Sequence, residues 1–197
     1  PTHLHADIQI PVKGTSDAAF ALSLVQVMFA ENIADWKFLK EQTDFSLLVR
    51  KDARRYLRQP DLDGAGREDQ LYQWEPGSGL RPASRGDLRL SGFDVALEGE
   101  FEVVLADGSS VTVTPVFELL RANLDSESTP EKQQPVTGVH PDVVRDLARK
   151  MTSRRTNVIT GANACKMYHG DLMERAICLA LAASGNWGKK GTGIRGW

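Results

Sequence analysis

Apolar and polar positions change period several times along this 197-residue chain. Ala6-Asp7-Ile8-Gln9-Ile10-Pro11-Val12 alternates, which predicts a short strand. Lys13 to Asp17 reads as a turn. Ala18 to Ala30 is almost continuously apolar and predicts a long helix buried on most sides. Asp35 to Gln42 predicts a second helix anchored by Trp36, Phe38 and Leu39. Phe45 to Arg50 could be a strand or an extended segment. From Asp61 to Gly92, Gly, Pro, Asp, Arg and Ser dominate, which predicts irregular surface chain. Phe101 to Leu105 and Val111 to Thr114 flank Asp107-Gly108, a β-hairpin signal. Val116 to Leu124 is helical in pattern, and Thr129-Pro130 resembles a helix start. After His140-Pro141-Asp142, apolar Val143, Val144, Leu147, Ala148 and Met151 recur at helical spacing. Asn157 to Thr160 reads as a buried-type strand ending at Gly161. Asp171 to Ala183 is another helix, with Leu172, Met173, Ala176, Ile177, Ala180 and Leu181 on its apolar face. Gly185 to Gly193 is a glycine-rich loop.

Two strand–loop–helix units thus stand near the two ends of the chain. The pattern predicts an α/β fold: a Rossmann-like parallel sheet flanked by helices, interrupted by an irregular segment and a hairpin. The whole chain, residues 1–197, reads as one domain, with residues 61–114 as an insertion. Ligands of such sheets bind beyond the carboxyl ends of the strands. That selects the loops at residues 13–17 and 161–170 as the candidate binding face.

Composition narrows the function. Hydrophobic residues at 41% and charged residues at 25% describe a globular chain. A net charge of −2 provides no basic field for nucleic acid. Arg154-Arg155 and Lys189-Lys190 are local clusters of the kind that line solvated surfaces. No apolar run approaches the roughly 20 residues of a membrane span. Two cysteines, Cys165 and Cys178, lack metal-like spacing and read as free thiols, Cys178 in the core. No metal-ligand cluster, Ser-His-Asp order or paired-carboxylate arrangement stands out.

In the first loop, Lys13, backbone N–H groups and the Thr15 or Ser16 hydroxyl could hold phosphate oxygens at a helix N-terminus. Asp17 could accept hydrogen bonds from the paired donor edge of a base such as guanine. Helix capping by Ser16 or Asp17 is the plainer reading of the same residues. The second loop, Gly161 to Gly170, concentrates Asn163, Cys165, Lys166, Tyr168 and His169 between a strand and a helix, as a polar pocket requires. A structural role for His169 at the loop–helix junction explains that residue as well.

Three stretches together resemble one family. Ala6 through Lys13-Gly14-Thr15-Ser16-Asp17-Ala18-Ala19 resembles the strand–loop–helix of the dimethyl sulfoxide reductase family of molybdopterin oxidoreductases. Phe38 to Asp44, Leu47 to Arg50 and Tyr56-Leu57-Arg58 are similar to its nitrate, perchlorate, selenate and ethylbenzene dehydrogenase branch. So are Thr137-Gly138-Val139 through Arg149, Tyr168-His169-Gly170-Asp171-Leu172-Met173-Glu174-Arg175-Ala176 and Gly185 to Gly193. One departure stands out: the usual Gly-Thr-Asp is Thr15-Ser16-Asp17 here, with Gly14 one place early.

The resemblance implies a domain that helps hold bis(molybdopterin guanine dinucleotide), with two-electron oxygen-atom transfer or hydroxylation at molybdenum in the intact catalytic subunit. Asp17 would meet guanine, and Lys13, Gly14, Thr15 and Ser16 its phosphate or ribose. Gly161, Asn163 and His169 would approach a pterin, and Lys166 the substrate pocket. No metal ligand is expected from this chain. The metal-ligating segment and an iron–sulfur cluster motif are expected outside it, so the chain alone is expected to be inactive. Implied partners are the remainder of the catalytic subunit and an iron–sulfur electron-transfer subunit, in a periplasmic or cytoplasmic membrane-associated complex of a prokaryote. The competing expectation is a stand-alone α/β nucleotide-binding or interaction module without redox activity.

Overall fold

A computed structural model describes residues 5–84, 86, 89–90, 92–161 and 166–196. In chain order the first elements are α1 (Asp17–Ala30), α2 (Trp36–Gln42), β1 (Leu48–Arg50), β2 (Arg55–Tyr56) and α3 (Gln59–Asp63). Next come β3 (Tyr72–Glu75), β4 (Gly79–Pro82), β5 (Phe101–Val104), β6 (Ser110–Pro115) and α4 (Val116–Glu127). The last are α5 (Pro130–Thr137), α6 (Pro141–Ser153), β7 (Asn157–Thr160), α7 (Gly170–Ala183) and β8 (Gly193–Gly196). They form two compact units, one from Pro1–Asp35 with Asn123–Trp197 and one from Trp36–Ala122. The segment read as an insertion, residues 61–114, lies within the second.

The first unit is built around α1. Its composition leaves no polar face, and residues from Ala21 to Phe29 are buried on most sides. It packs against α5, α6 and α7. Gln26, buried in this helix, satisfies its amide by donating to Asp125 at 2.9 Å. At the other end, Arg149 of α6 makes a two-pronged bond to Glu31, both contacts 2.8 Å. Pro141 opens α6 behind His140, whose Nδ1 accepts the Asp142 backbone N–H. Pro141, Val144, Ala148 and Met151 are its buried stripe. Gly185 ends α7 with φ +68°, and a side chain there would collide with Asp35. Asp35 in turn donates its N–H to the Ala183 carbonyl and pairs with Lys189. Asn186 is 3% exposed and locks the following turn, accepting from Thr156 N–H and donating to the Met151 carbonyl.

The second unit is an antiparallel sheet with strand order β2-β1-β6-β5. The expected hairpin forms with Val104 opposite Ser110, and Gly108 takes the left-handed conformation that the turn needs. β6 also pairs with β1, Val49 opposite Thr114. Leu48, Leu57, Val103, Val111 and Val113 are its buried core, flanked by Trp74, Phe101 and other half-buried residues. Asp61 anchors the β2–α3 corner: its side chain is 6% exposed, it accepts the Arg58 N–H and a 2.6 Å bond from Arg50, and it pairs with Arg55.

Three expectations change. Residues 6–12 form no strand; the segment is exposed coil, with Ile8 54% exposed, because no described strand lies alongside to take its backbone hydrogen bonds. Residues 61–92 are not wholly irregular. β3 and β4 form a second hairpin, and Trp74 stacks flat on Phe101 at 4.2 Å. The glycine-rich tail ends in β8, which pairs in parallel with β7, Val158 opposite Ile194. The chain is therefore mixed α/β. Among the described residues the parallel component is this two-stranded ribbon, and the largest sheet is antiparallel rather than Rossmann-like.

Candidate functional site

Both loops selected from the sequence lie in the first unit, each leading into a helix. The first turns at Thr15, which has φ +70°. That left-handed conformation is costly for a β-branched residue. Gly14, beside it, is not in that conformation, and a Cβ there would meet nothing within 4 Å. Ser16 is the buried N-cap of α1, but its side chain makes no cap; the hydroxyl donates back to the Lys13 carbonyl at 2.7 Å. The Lys13 ammonium donates to the Pro135 carbonyl at 2.8 Å, near the C-terminus of α5, where a cation suits the helix dipole. Its backbone N–H donates to Thr137 at 2.9 Å. Asp17 is exposed in the first turn of α1.

The second loop ends similarly. His169 is the N-cap of α7, with φ +56° and no side-chain cap. Its ring lies against Tyr168, centroids 3.9 Å apart and planes at 59°. Tyr168 is 92% exposed. Gly161, at the end of β7, and Lys166 are exposed as well. Asn163 and Cys165 lie outside the described residues.

Between α1 and α7 runs a cleft of about 460 Å³. Thr15 and His169, each left-handed, both line it, so the first turns of the two helices open on one space. Ala18 and Leu22 form one wall, Leu172, Met173, Ala176 and Leu179 the other. Tyr168 and Met167 stand at the α7 end, and Arg175 places an exposed guanidinium on the lining. An apolar slot beside the N-terminus of α1 and Arg175 can take a ligand that is flat and apolar in one part and anionic in another; the start of α7 adds little, because Gly170 and Leu172 donate their N–H groups to the Met167 and His169 carbonyls. Of the expected residues, Thr15 and His169 are the ones in this lining; Lys13, Gly14, Ser16, Asp17, Gly161 and Lys166 are not. In the sequence Leu172 and Met173 fit the buried stripe of α7, which hides the apolar wall they form. Leu172 is in fact half exposed.

Cys178 is a free, partly buried thiol whose pKa is pushed up by burial and by nearby Glu174. Among the described residues, no three His, Cys, Asp or Glu side chains cluster as metal ligands. A separate cleft of about 630 Å³ lies in the second unit, lined largely by charged and polar side chains such as Lys40, Asp44, Asp69 and Arg81. At its edge Tyr56 donates to Asp44 at 2.8 Å, and its hydroxyl is pushed up to about 12, by burial first and then by that bond. Arg81 lies over the Phe93 ring at 3.6 Å and pairs with Glu75 at 2.9 Å, so its charge is already engaged.

No family model matches the chain. Comparison with characterised proteins is more informative. The chain is 35% identical over 211 residues to the perchlorate reductase alpha subunit of Dechloromonas aromatica, covering 93% of the chain. It is 36% identical over 208 residues to the chlorate reductase alpha subunit of Ideonella dechloratans, covering all of the chain. The chain belongs to the dimethyl sulfoxide reductase family of molybdopterin oxidoreductases. The dimethylsulfide dehydrogenase alpha subunit of Rhodovulum sulfidophilum is a further relative, 33% identical over 97% of the chain. The chain spans only 23%, 22% and 21% of these three proteins, so it corresponds to one portion of a catalytic subunit of this family. Each relative is named as an alpha subunit. No helix among the described residues is long and apolar enough to cross a membrane.

Proposed function

We propose that this chain is a cofactor-holding portion of a molybdopterin oxidoreductase catalytic subunit and helps bind bis(molybdopterin guanine dinucleotide). The observation that carries this is the cleft between α1 and α7, which joins one residue from each of the two predicted loops. Its chemistry suits a dinucleotide: the N-terminus of α1 and Arg175 for phosphate oxygens, and apolar walls for ring faces. In this reading Thr15, Ser16 and the first N–H groups of α1 approach phosphate or ribose. Asp17, exposed beside them, accepts from guanine. Lys13 keeps one ammonium proton on Pro135 and has two left for phosphate. Gly161, Asn163 and His169 approach the pterin, and Lys166 reaches toward the substrate.

When bound, the cofactor supplies two-electron oxygen-atom transfer or hydroxylation at molybdenum. The residues of this chain bind it, orient it and keep water from its ring faces. An iron–sulfur subunit would be the electron-transfer partner of the intact subunit. We read the intact subunit as continuing β7 into a larger Rossmann-like parallel sheet, with residues 6–12 joining as a strand. The 69% exposure of Ile159 on β7 and the exposure of Ile8 favour this. In this proposal residues 1–197 are one domain with residues 61–114 inserted; that the first unit comes from both sides of the second in sequence favours an insertion, with wider bounds.

Guanine-nucleotide binding tests the proposal. Titration calorimetry of GDP into the full chain is expected to show saturable binding. Asp17→Ala should weaken it about 10-fold or more, the loss of a charged hydrogen-bonded pair, and leave ADP unaffected. Failure of the chain to bind any guanine nucleotide, or an Asp17→Ala titration identical to wild type, overturns it.

A further inference from the structure

Tyr168 is the least explained side chain of the cleft. Folding leaves its ring 92% exposed, so it contributes little to the core, yet it stands in the lining beside Met167 and Leu172. Its neighbour His169 is held left-handed, at φ +56°, and the two rings are in contact. Strain of this kind persists where surrounding structure over-determines it, and it concentrates at ligand sites. Here it turns the chain just before α7 and keeps an aromatic pair beside an apolar slot.

We propose that Tyr168, backed by His169, is a stacking platform for the fused 2-amino-4-oxopyrimidine ring system that guanine and pterin share. The inference rests on the cofactor reading above and adds a residue to it. A heterocycle on this platform presents its faces to Tyr168 and to the apolar walls at Leu172 and Leu22. The ring is wet in this chain, and a ligand in the cleft would cover it. Stacking on a phenol ring tolerates different bases, because each offers a π-face. Base choice therefore belongs to Asp17, and Tyr168 supplies affinity without selectivity.

Titrations of GDP and neopterin into the full 197-residue chain, its Tyr168→Ala and Tyr168→Phe variants and Asp17→Ala separate these roles. Tyr168→Ala is expected to weaken binding about 10-fold or more. It should keep the wild-type thermal midpoint, since so exposed a ring holds no core together. Tyr168→Phe should bind as wild type. A loss with both compounds supports the platform, and a loss confined to one of them overturns stacking without selectivity. Wild-type chain that binds either compound while Tyr168→Ala matches it overturns the platform and leaves the cofactor reading standing. A Tyr168→Phe variant as weak as Tyr168→Ala overturns stacking in favour of the hydroxyl. Wild-type chain that binds neither compound overturns the cofactor reading and the platform with it.

Discussion

Thr15 shows what one residue can reveal. The backbone here is left-handed, at φ +70°. The turn holds a β-branched side chain in that conformation, at a cost of order 1–2 kcal/mol. Thr15→Asn, which tolerates that conformation better, is expected to raise unfolding free energy by about 1 kcal/mol in urea denaturation. A lower midpoint would show that the Thr15 side chain holds the cleft wall strongly enough to outweigh its strain. Lys13 teaches the converse. Its place before a helix reads as a phosphate ligand, but the folded chain also offers it the Pro135 carbonyl, 122 positions away. Residue type announced a donor; only the fold could say which acceptor had reached it.

At the scale of elements, patterns that stabilise themselves were legible and those needing a distant partner were not. α1, α6, α7 and the β5–β6 hairpin carry their own period and turn chemistry. β3 and β4 are four residues each, and their hairpin is held by Trp74 on Phe101, 27 positions on. Residues 6–12 alternate as a strand should, but alternation without a neighbouring backbone makes no strand. The β2–α3 corner was also unread, because its stability comes from Asp61 meeting Arg50, Arg55 and the Arg58 N–H. Burial pushes the Asp61 carboxyl up, but the Arg58 N–H and the two guanidinium groups outweigh this and hold it below the ordinary aspartate value. A depressed carboxylate contributes stability that is full above the unfolded value, near pH 4, and is lost as pH falls through the lower folded value. The corner is thus expected to loosen below about pH 4. Asp61→Asn should cost about 2 kcal/mol at pH 7, moderated because Arg55 is half exposed and solvent screens part of its charge. It should also flatten the acid limb of stability against pH, measured by urea denaturation at several pH values. An acid limb equal to wild type would remove Asp61 as its source.

At the scale of the whole molecule, the second unit is one continuous segment, Trp36–Ala122, with its own buried cluster. A segment with its own core is expected to fold alone. Residues 36–122 expressed separately should melt cooperatively by circular dichroism and keep the near-ultraviolet signal of the Trp74–Phe101 stack. A featureless, non-cooperative melt would show that the core needs the rest of the chain. The first unit cannot be excised that way, since its sequence comes from both ends. The sequence by itself determined the long helices, the Asp107-Gly108 hairpin, the two loops that precede α1 and α7, and the family, because periodicity, turn chemistry and motif order are local properties. It did not determine the two-unit division, the antiparallel character of the larger sheet, or the partners of Lys13 and Ser16. Nor could it show that Thr15 and His169 line a common cleft with an apolar wall. Those depend on which distant backbones and side chains come within hydrogen-bonding or packing range, and tertiary structure alone decides that.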